Sequence, residues 1–343
     1  MSGKIFIIIL LLQSLSNPIQ PNMKKFLKWT GIVFLSLVLM LVLGITLMQF
    51  KKYDAPYPDI HASKDASVIA RGKYLVTGPA HCGDCHAPRS EYNKILAGQI
   101  ASMRGGNEFK LPLGTLRTPN LTSDPETGIG NWKDEEIARS LRYGVGRDGR
   151  ALIPFMPFQN LTDDDLTAVI SYLRTLKPEA NKVKVRSLNP LGYTLTALVI
   201  RPVGPVGTPA KHIAVDTTES YGAYLANYVS NCKGCHTNRD LKTGAFVGPL
   251  FAGGFHMESI IDPEHFECVT PNLTPDPSTG RIARWSEEDL KRRFAMGKVI
   301  PHSAMPWGPF KRMGDVEMKA IYKYLQTLKP VTNDPGPMLV KKT

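Results

Sequence analysis

Cysteine is scarce in this chain: there are five among 343 residues. That is too few for a disulfide-stapled scaffold, so their spacing matters more than their number. Blocks of Lys and Arg are missing too, although 42 basic residues against 30 acidic ones leave a net charge of +12. Basic residues spread this evenly give no footprint for nucleic acid. They suit docking to an acidic partner or an anionic membrane surface. There is little sustained alternation of apolar and polar residues, so strands find no support. A hydrophobic content of 43% and an aromatic content of 8% exclude a wholly disordered chain.

Long apolar runs are absent with one exception. Residues 29–48 contain no charge and no proline, and Thr30, Ser36 and Thr46 are their polar members. As a helix, this run spans about 30 Å, the thickness of a bilayer's hydrocarbon core. The apolar region of a cleaved signal is shorter, and no small-residue cleavage pattern follows Met48. The expectation is an uncleaved transmembrane anchor over residues 23–52. Lys24, Lys25 and Lys28 on one side and Lys51 and Lys52 on the other leave its orientation open. Residues 1–22 hold a short apolar run and two prolines before Met23. They read as a non-native extension from an upstream start codon, or as a disordered one.

Beyond the anchor the chain repeats itself. Residues 118–128 read TPNLTSDPETG and residues 270–280 read TPNLTPDPSTG, identical at nine of eleven positions. Residues 171–178 (SYLRTLKP) return as residues 323–330 (KYLQTLKP), identical at six of eight. A period near 150 means two copies of a whole domain rather than a solenoid. The expected boundaries are 63–180 for the first domain and 217–332 for the second. A Pro-rich strap over 181–216 separates them, and a tail covers 333–343. Each copy predicts three helices: 67–76, one after Trp132, and 163–176 in the first; 220–229, one after Trp285, and 315–328 in the second. Acidic residues open both middle helices, which suits the positive end of the helix dipole. Pro178 and Pro330 stop the last ones. Gly72 with Tyr74, and Gly222 with Tyr224, predict a close crossing of first and last helices. The expected fold class is all-α.

The chemistry sits in two matched motifs. Cys82-Gly83-Asp84-Cys85-His86 and Cys232-Lys233-Gly234-Cys235-His236 both read C-x-x-C-H, the attachment sequence for c-type haem. Two thiols three positions apart on a helical turn can reach the two vinyl groups of one porphyrin, and the adjacent histidine becomes the proximal iron ligand. A redox dithiol would need a βαβ setting, and a zinc site a second Cys or His pair; neither is visible. Met156 and Met305 lie 70 and 69 residues beyond those histidines. Each is followed by a proline that stiffens the loop, which makes them candidate sixth ligands; the alternative is a plain gap-filling role. His81, His256, His265 and His302 could compete as ligands, but each reads as a solvated or structural histidine. Trp132 and Trp285 either reach a haem propionate or simply pack. Cys268 has no counterpart in the first copy and reads as a buried or idle thiol.

Together these features resemble class I cytochrome c domains: C-x-x-C-H on a first helix, a Met-Pro loop, and a last helix carrying Tyr-Leu. The TPNLT…D…TG…W segments are similar to those in membrane-bound multihaem cytochrome c subunits of bacterial periplasmic alcohol, aldehyde and gluconate-type dehydrogenases. The resemblance covers nearly all of residues 63–330. It implies two covalently bound haem c groups on Cys82, Cys85, Cys232 and Cys235, with His86, Met156, His236 and Met305 on the irons. It further implies an electron-transfer subunit without independent catalysis. Its donor would be a periplasmic dehydrogenase, and its acceptor quinone machinery, a soluble cytochrome or a terminal oxidase. The expected location is the bacterial inner membrane, single-pass, with the haem domains on the periplasmic side. The alternative is a dihaem enzyme such as a peroxidase or thiosulfate-type oxidoreductase. Two departures stand out: many such subunits carry three haem domains, and the second copy lacks an equivalent of Asp148-Gly149-Arg150.

Overall fold

The computed structural model describes residues 21–240, 244–259 and 261–342. The extension expected over residues 1–22 lies outside them up to residue 20. Chain order begins with α1, Pro21–Met48. Proline at its first position suits a helix start. Its apolar side chains point outward all round; Phe34 is 68% exposed. Thr30 and Thr46 turn their hydroxyls back onto the carbonyls of Phe26 and Val42, at 2.9 and 2.8 Å, so the helix surface stays apolar. By length and composition the span Asn22–Met48 can cross a membrane, and a signal sequence near the amino terminus would pass the same test.

Two crossed helix pairs follow. Ala66–Thr77 (α2) packs on Asp163–Arg174 (α3), and Glu219–Tyr224 (α4) packs on Asp315–Thr327 (α5). Helix α4 runs on as a π-helical turn, Leu225–Val229. The Gly-x-Tyr pairs make the crossings tight. A Cβ on Gly72 would lie 1.8 Å from the Ala168 carbonyl oxygen, and one on Gly222 1.9 Å from that of Ala320. Only glycine permits that approach. Thr162 and Thr218 cap α3 and α4 by accepting from the backbone N–H of Asp165 and Tyr221. The middle helices are Asp134–Tyr143 (α6) and Glu287–Ala295 (α7), with Glu136 and Asp289 closing back onto the first residues.

The expected all-α class is overturned, because the protein is mixed. One three-stranded antiparallel sheet holds Glu108–Leu111 (β1), Gly114–Arg117 (β2) and Arg186–Leu188 (β3). A second holds His256–Glu258 (β4), Phe266–Val269 (β5) and Leu339–Lys341 (β6). Strands of three or four residues are too short to print an alternation. In each sheet the third strand also comes from chain that lies beyond the last helix, so the pairing is non-local. Besides β3, the strap carries a helix, Pro190–Leu198 (α8).

One large apolar core runs through both halves, from Leu75 and Ile170 in the first to Leu225 and Ile321 in the second, and Ala87, Ile95 and Ala101 form a small separate cluster. At the boundary Arg71 grips Asp165 with two bonds, 2.8 and 3.0 Å, and reaches the Tyr221 hydroxyl at 3.3 Å. The Tyr224 hydroxyl donates to the same carboxylate at 2.7 Å. Arg312 donates to the Gly98 carbonyl at 3.0 Å.

Candidate haem-binding motifs

Each C-x-x-C-H motif forms one short helical turn. Cys82–His86 follows His81 at φ 39°, and Cys232–Cys235 follows Asn231 at φ 54°. Left-handed residues other than glycine are uncommon and concentrate where function fixes the backbone. Here both stand at the same place, turning the chain sharply from the first helix into the motif.

The two motif histidines are held alike. His86 places Nδ1 3.0 Å from the Pro119 carbonyl oxygen, and His236 places Nδ1 3.0 Å from that of Pro271. A carbonyl only accepts, so Nδ1 carries the proton in both rings and Nε2 is left as the lone-pair nitrogen. Their own carbonyls accept from Gly105 and Gly253 at 2.8 Å. Burial pushes both imidazoles below the ordinary histidine value, towards the neutral form a metal needs. The donor set therefore fits c-type haem: a neutral, oriented imidazole beside two thiols that form no disulfide.

Those prolines belong to the repeated TPNLT segments, whose orienting part the sequence had not disclosed. The neighbouring asparagines lock the loops. Asn120 donates to the Glu179 carbonyl and accepts from both the N–H and the hydroxyl of Thr122. Asn272 does the same with Val331 and Thr274. Asp124 and Asp276 take hydrogen bonds from Thr127 and from Ser278 and Thr279, which hold both carboxyls below the usual range. The clue available beforehand was the near-identity of the two segments.

Burial pushes the thiols of Cys82, Cys85 and Cys232 up to about 12, and that of Cys235 upward. Reactive dithiols show the opposite shift, which speaks against a redox-dithiol role. Cys235 adds to the rise at Cys85, an electrostatic coupling across the boundary between the halves. Asp84, inside the first motif, is pushed up to about 7 by burial, with Lys298 of the second half pulling it back.

Met156 and Met305 border the same apolar core as Cys82, Cys232, Trp132 and Trp285. Gln159 donates to the Met156 carbonyl at 2.7 Å. Met305 is fixed between Ser303, which accepts from its N–H, and the start of the short helix Trp307–Phe310. The competing histidines are otherwise engaged. His256 pairs with Glu267 and His265 with Asp262, both at 2.8 Å. His302 meets the Ser259 hydroxyl at 3.0 Å and stacks on Phe266; His81 sits edge-on to Phe310. Cys268 is buried in β5 and donates to the His302 carbonyl at 2.7 Å. No cluster of three or more His, Cys, Asp or Glu is present among the described residues. The Asp148-Gly149-Arg150 turn has a task of its own: the Gly149 carbonyl accepts from Tyr53 N–H at 2.7 Å, so the turn receives the chain arriving from α1.

Comparison with known proteins agrees with this chemistry. The Cytochrome c family matches over residues 69–177, which implies covalently bound haem c. The chain is 32% identical over 300 residues to the cytochrome c subunit of a quinone alcohol dehydrogenase from Gluconacetobacter polyoxogenes, covering 79% of this chain and 58% of that one. It is 28% identical to the gluconate 2-dehydrogenase cytochrome c subunit of Pantoea cypripedii, covering 76% and 60%. It is 24% identical to a diheme cytochrome c-type protein of Cereibacter sphaeroides, covering 71% and 81%. The chain thus spans little more than half the length of the dehydrogenase subunits.

Proposed function

We propose, for a chain that carries a cytochrome c domain and is homologous to cytochrome c subunits of quinone alcohol and gluconate dehydrogenases, a membrane-anchored dihaem electron carrier. It would take electrons from a periplasmic dehydrogenase and pass them to quinone machinery, a soluble cytochrome or a terminal oxidase. The observation that carries this reading is the matched pair His86–Pro119 and His236–Pro271, each at 3.0 Å. Two sites built alike, in segments that repeat in the sequence, argue for two haem domains over residues 63–180 and 217–332.

In this reading Cys82 and Cys85 hold one haem by thioethers, and Cys232 and Cys235 the other. His86 and Met156 ligate the first iron, His236 and Met305 the second. Haem c held this way supplies reversible one-electron transfer and leaves no open iron position for substrate. The protein's part is positional. Pro119 and Pro271 orient the imidazoles, the left-handed His81 and Asn231 set the motif turns, and the shared core joins the two halves. Haem attachment outside the cytoplasm puts the amino terminus of α1 inside and the haem domains in the periplasm.

The test is genetic and chemical. Deleting the gene should abolish respiration on one substrate while the purified dehydrogenase still reduces artificial dyes. The purified protein should exceed its polypeptide mass by two haems. Rapid turnover of peroxide or a sulfur compound without any partner would overturn the reading in favour of an enzyme.

A further inference from the structure

Helix α8 has two unlike sides. One is packed: Gly192 sits against the Leu113 carbonyl, where a Cβ would lie 2.0 Å from the oxygen, and Ala197 is buried. The other carries Leu191 and Leu198 one above the other at helical spacing, 51% and 47% exposed, and Val199 just beyond is 51% exposed. A helix in water keeps such a face covered. The described structure leaves this one bare.

Its position is fixed relative to α1. Gln49 follows the last residue of that helix and donates to the Tyr193 carbonyl at 2.8 Å. It accepts from the Thr196 hydroxyl at 3.0 Å. The Tyr53 hydroxyl lies 3.4 Å from the Ile200 carbonyl and accepts from Arg201 at 3.3 Å. Helix α8 is therefore fastened to the point where α1 ends. Cations surround that point. Lys51 and Lys52 follow α1, and Arg201 closes α8 by donating to the Leu198 carbonyl at 2.8 Å. Phe50, 75% exposed, adds an aromatic ring at the same level.

We propose that α8 lies on the outer surface of the bilayer, with Leu191, Leu198 and Val199 in the headgroup–acyl boundary and Arg201 among the phosphates. This rests on the reading of α1 as a membrane anchor. The arrangement is that of an interfacial helix, whose apolar face sinks about 5–10 Å into the boundary while cations stay with the headgroups. A run of 20 uncharged, mostly apolar residues spans the hydrocarbon core, so Gln49 stands at its edge, the depth this placement requires. Chemistry and continuity single out lipid as the occupant. A single spanning helix lets the attached mass swivel; a second contact beside it fixes which face looks at the membrane.

Spin labels on the full chain in phosphatidylethanolamine–phosphatidylglycerol vesicles test this. Labels would be placed at Leu191→Cys and Leu198→Cys on α8, at Leu39→Cys within α1, and at Val247→Cys, exposed in the second half. The native chain serves as the labelling blank. The expected result is several-fold higher collision with oxygen than with a water-soluble nickel complex at 39, 191 and 198, and the reverse at 247. If 39 is lipid-like while 191 and 198 are water-like, the surface contact is refuted and the anchor stands; the apolar face then belongs to a protein partner. If all four are water-like, the anchor reading itself fails and takes this inference with it.

Discussion

Pro119 and Pro271 orient the histidines through carbonyl oxygens, which no side-chain substitution removes. Asn120 and Asn272, 2% and 0% exposed, can be removed. Replacing either by alanine strips a buried loop of several hydrogen bonds and should cost about 1–3 kcal/mol in denaturant melts. The low-spin haem spectrum should survive in the remaining folded fraction. Met156→Ala and Met305→Ala should each remove about half of the weak far-red band of a methionine–iron bond; no change in either would remove methionine ligation. The motif cysteines and histidines stand out in the sequence because their chemistry resides in side chains at fixed spacing, and Met156 and Met305 are candidates by their matched placement. The proline carbonyls do not stand out. Any residue offers a carbonyl, and nothing in the letter P says that this one meets an imidazole 33 residues earlier.

Helix crossings were legible for a related reason. A glycine two residues before a tyrosine, present in both copies, announces a close approach, and the chain supplies it at Ala168 and Ala320. Gly222→Ala should force α4 and α5 apart and cost about 1–3 kcal/mol, read as a lower melting midpoint, since small-to-large changes in a tight contact strain the backbone. Strands were illegible because each sheet closes on chain far away. Thr115 meets Ser187, and Cys268 meets Leu339. Register of that kind is decided by tertiary packing rather than by local pattern. The strap carries α8, whose Gly192 and Ala197 are packed while Leu191 and Leu198 face outward.

For the whole molecule the decisive contact is Arg71 on Asp165, with Tyr221 and Tyr224 arriving from the other half. Asp165 is 5% exposed. Asp165→Ala leaves a partly buried guanidinium without its carboxylate and the Tyr224 hydroxyl without its acceptor. A loss of about 3–5 kcal/mol is expected, measured by chemical denaturation. Because one core serves both halves, wild-type unfolding should follow a single transition in both halves, and two separated transitions would show that the halves stand alone.

The short path from α1 to the Gly149 turn has one more effect. Between Met48, where α1 ends, and Tyr53, whose N–H is tied to Gly149, lie four residues. Fully extended, the five steps from Met48 to Tyr53 reach about 17 Å. The first half cannot travel farther than that from the end of the helix, and the bonds at Gln49 shorten the leash still more. With α1 as the anchor proposed above, the first half would not swing between distant stations, and in the proposed role its electron partners would have to come to it.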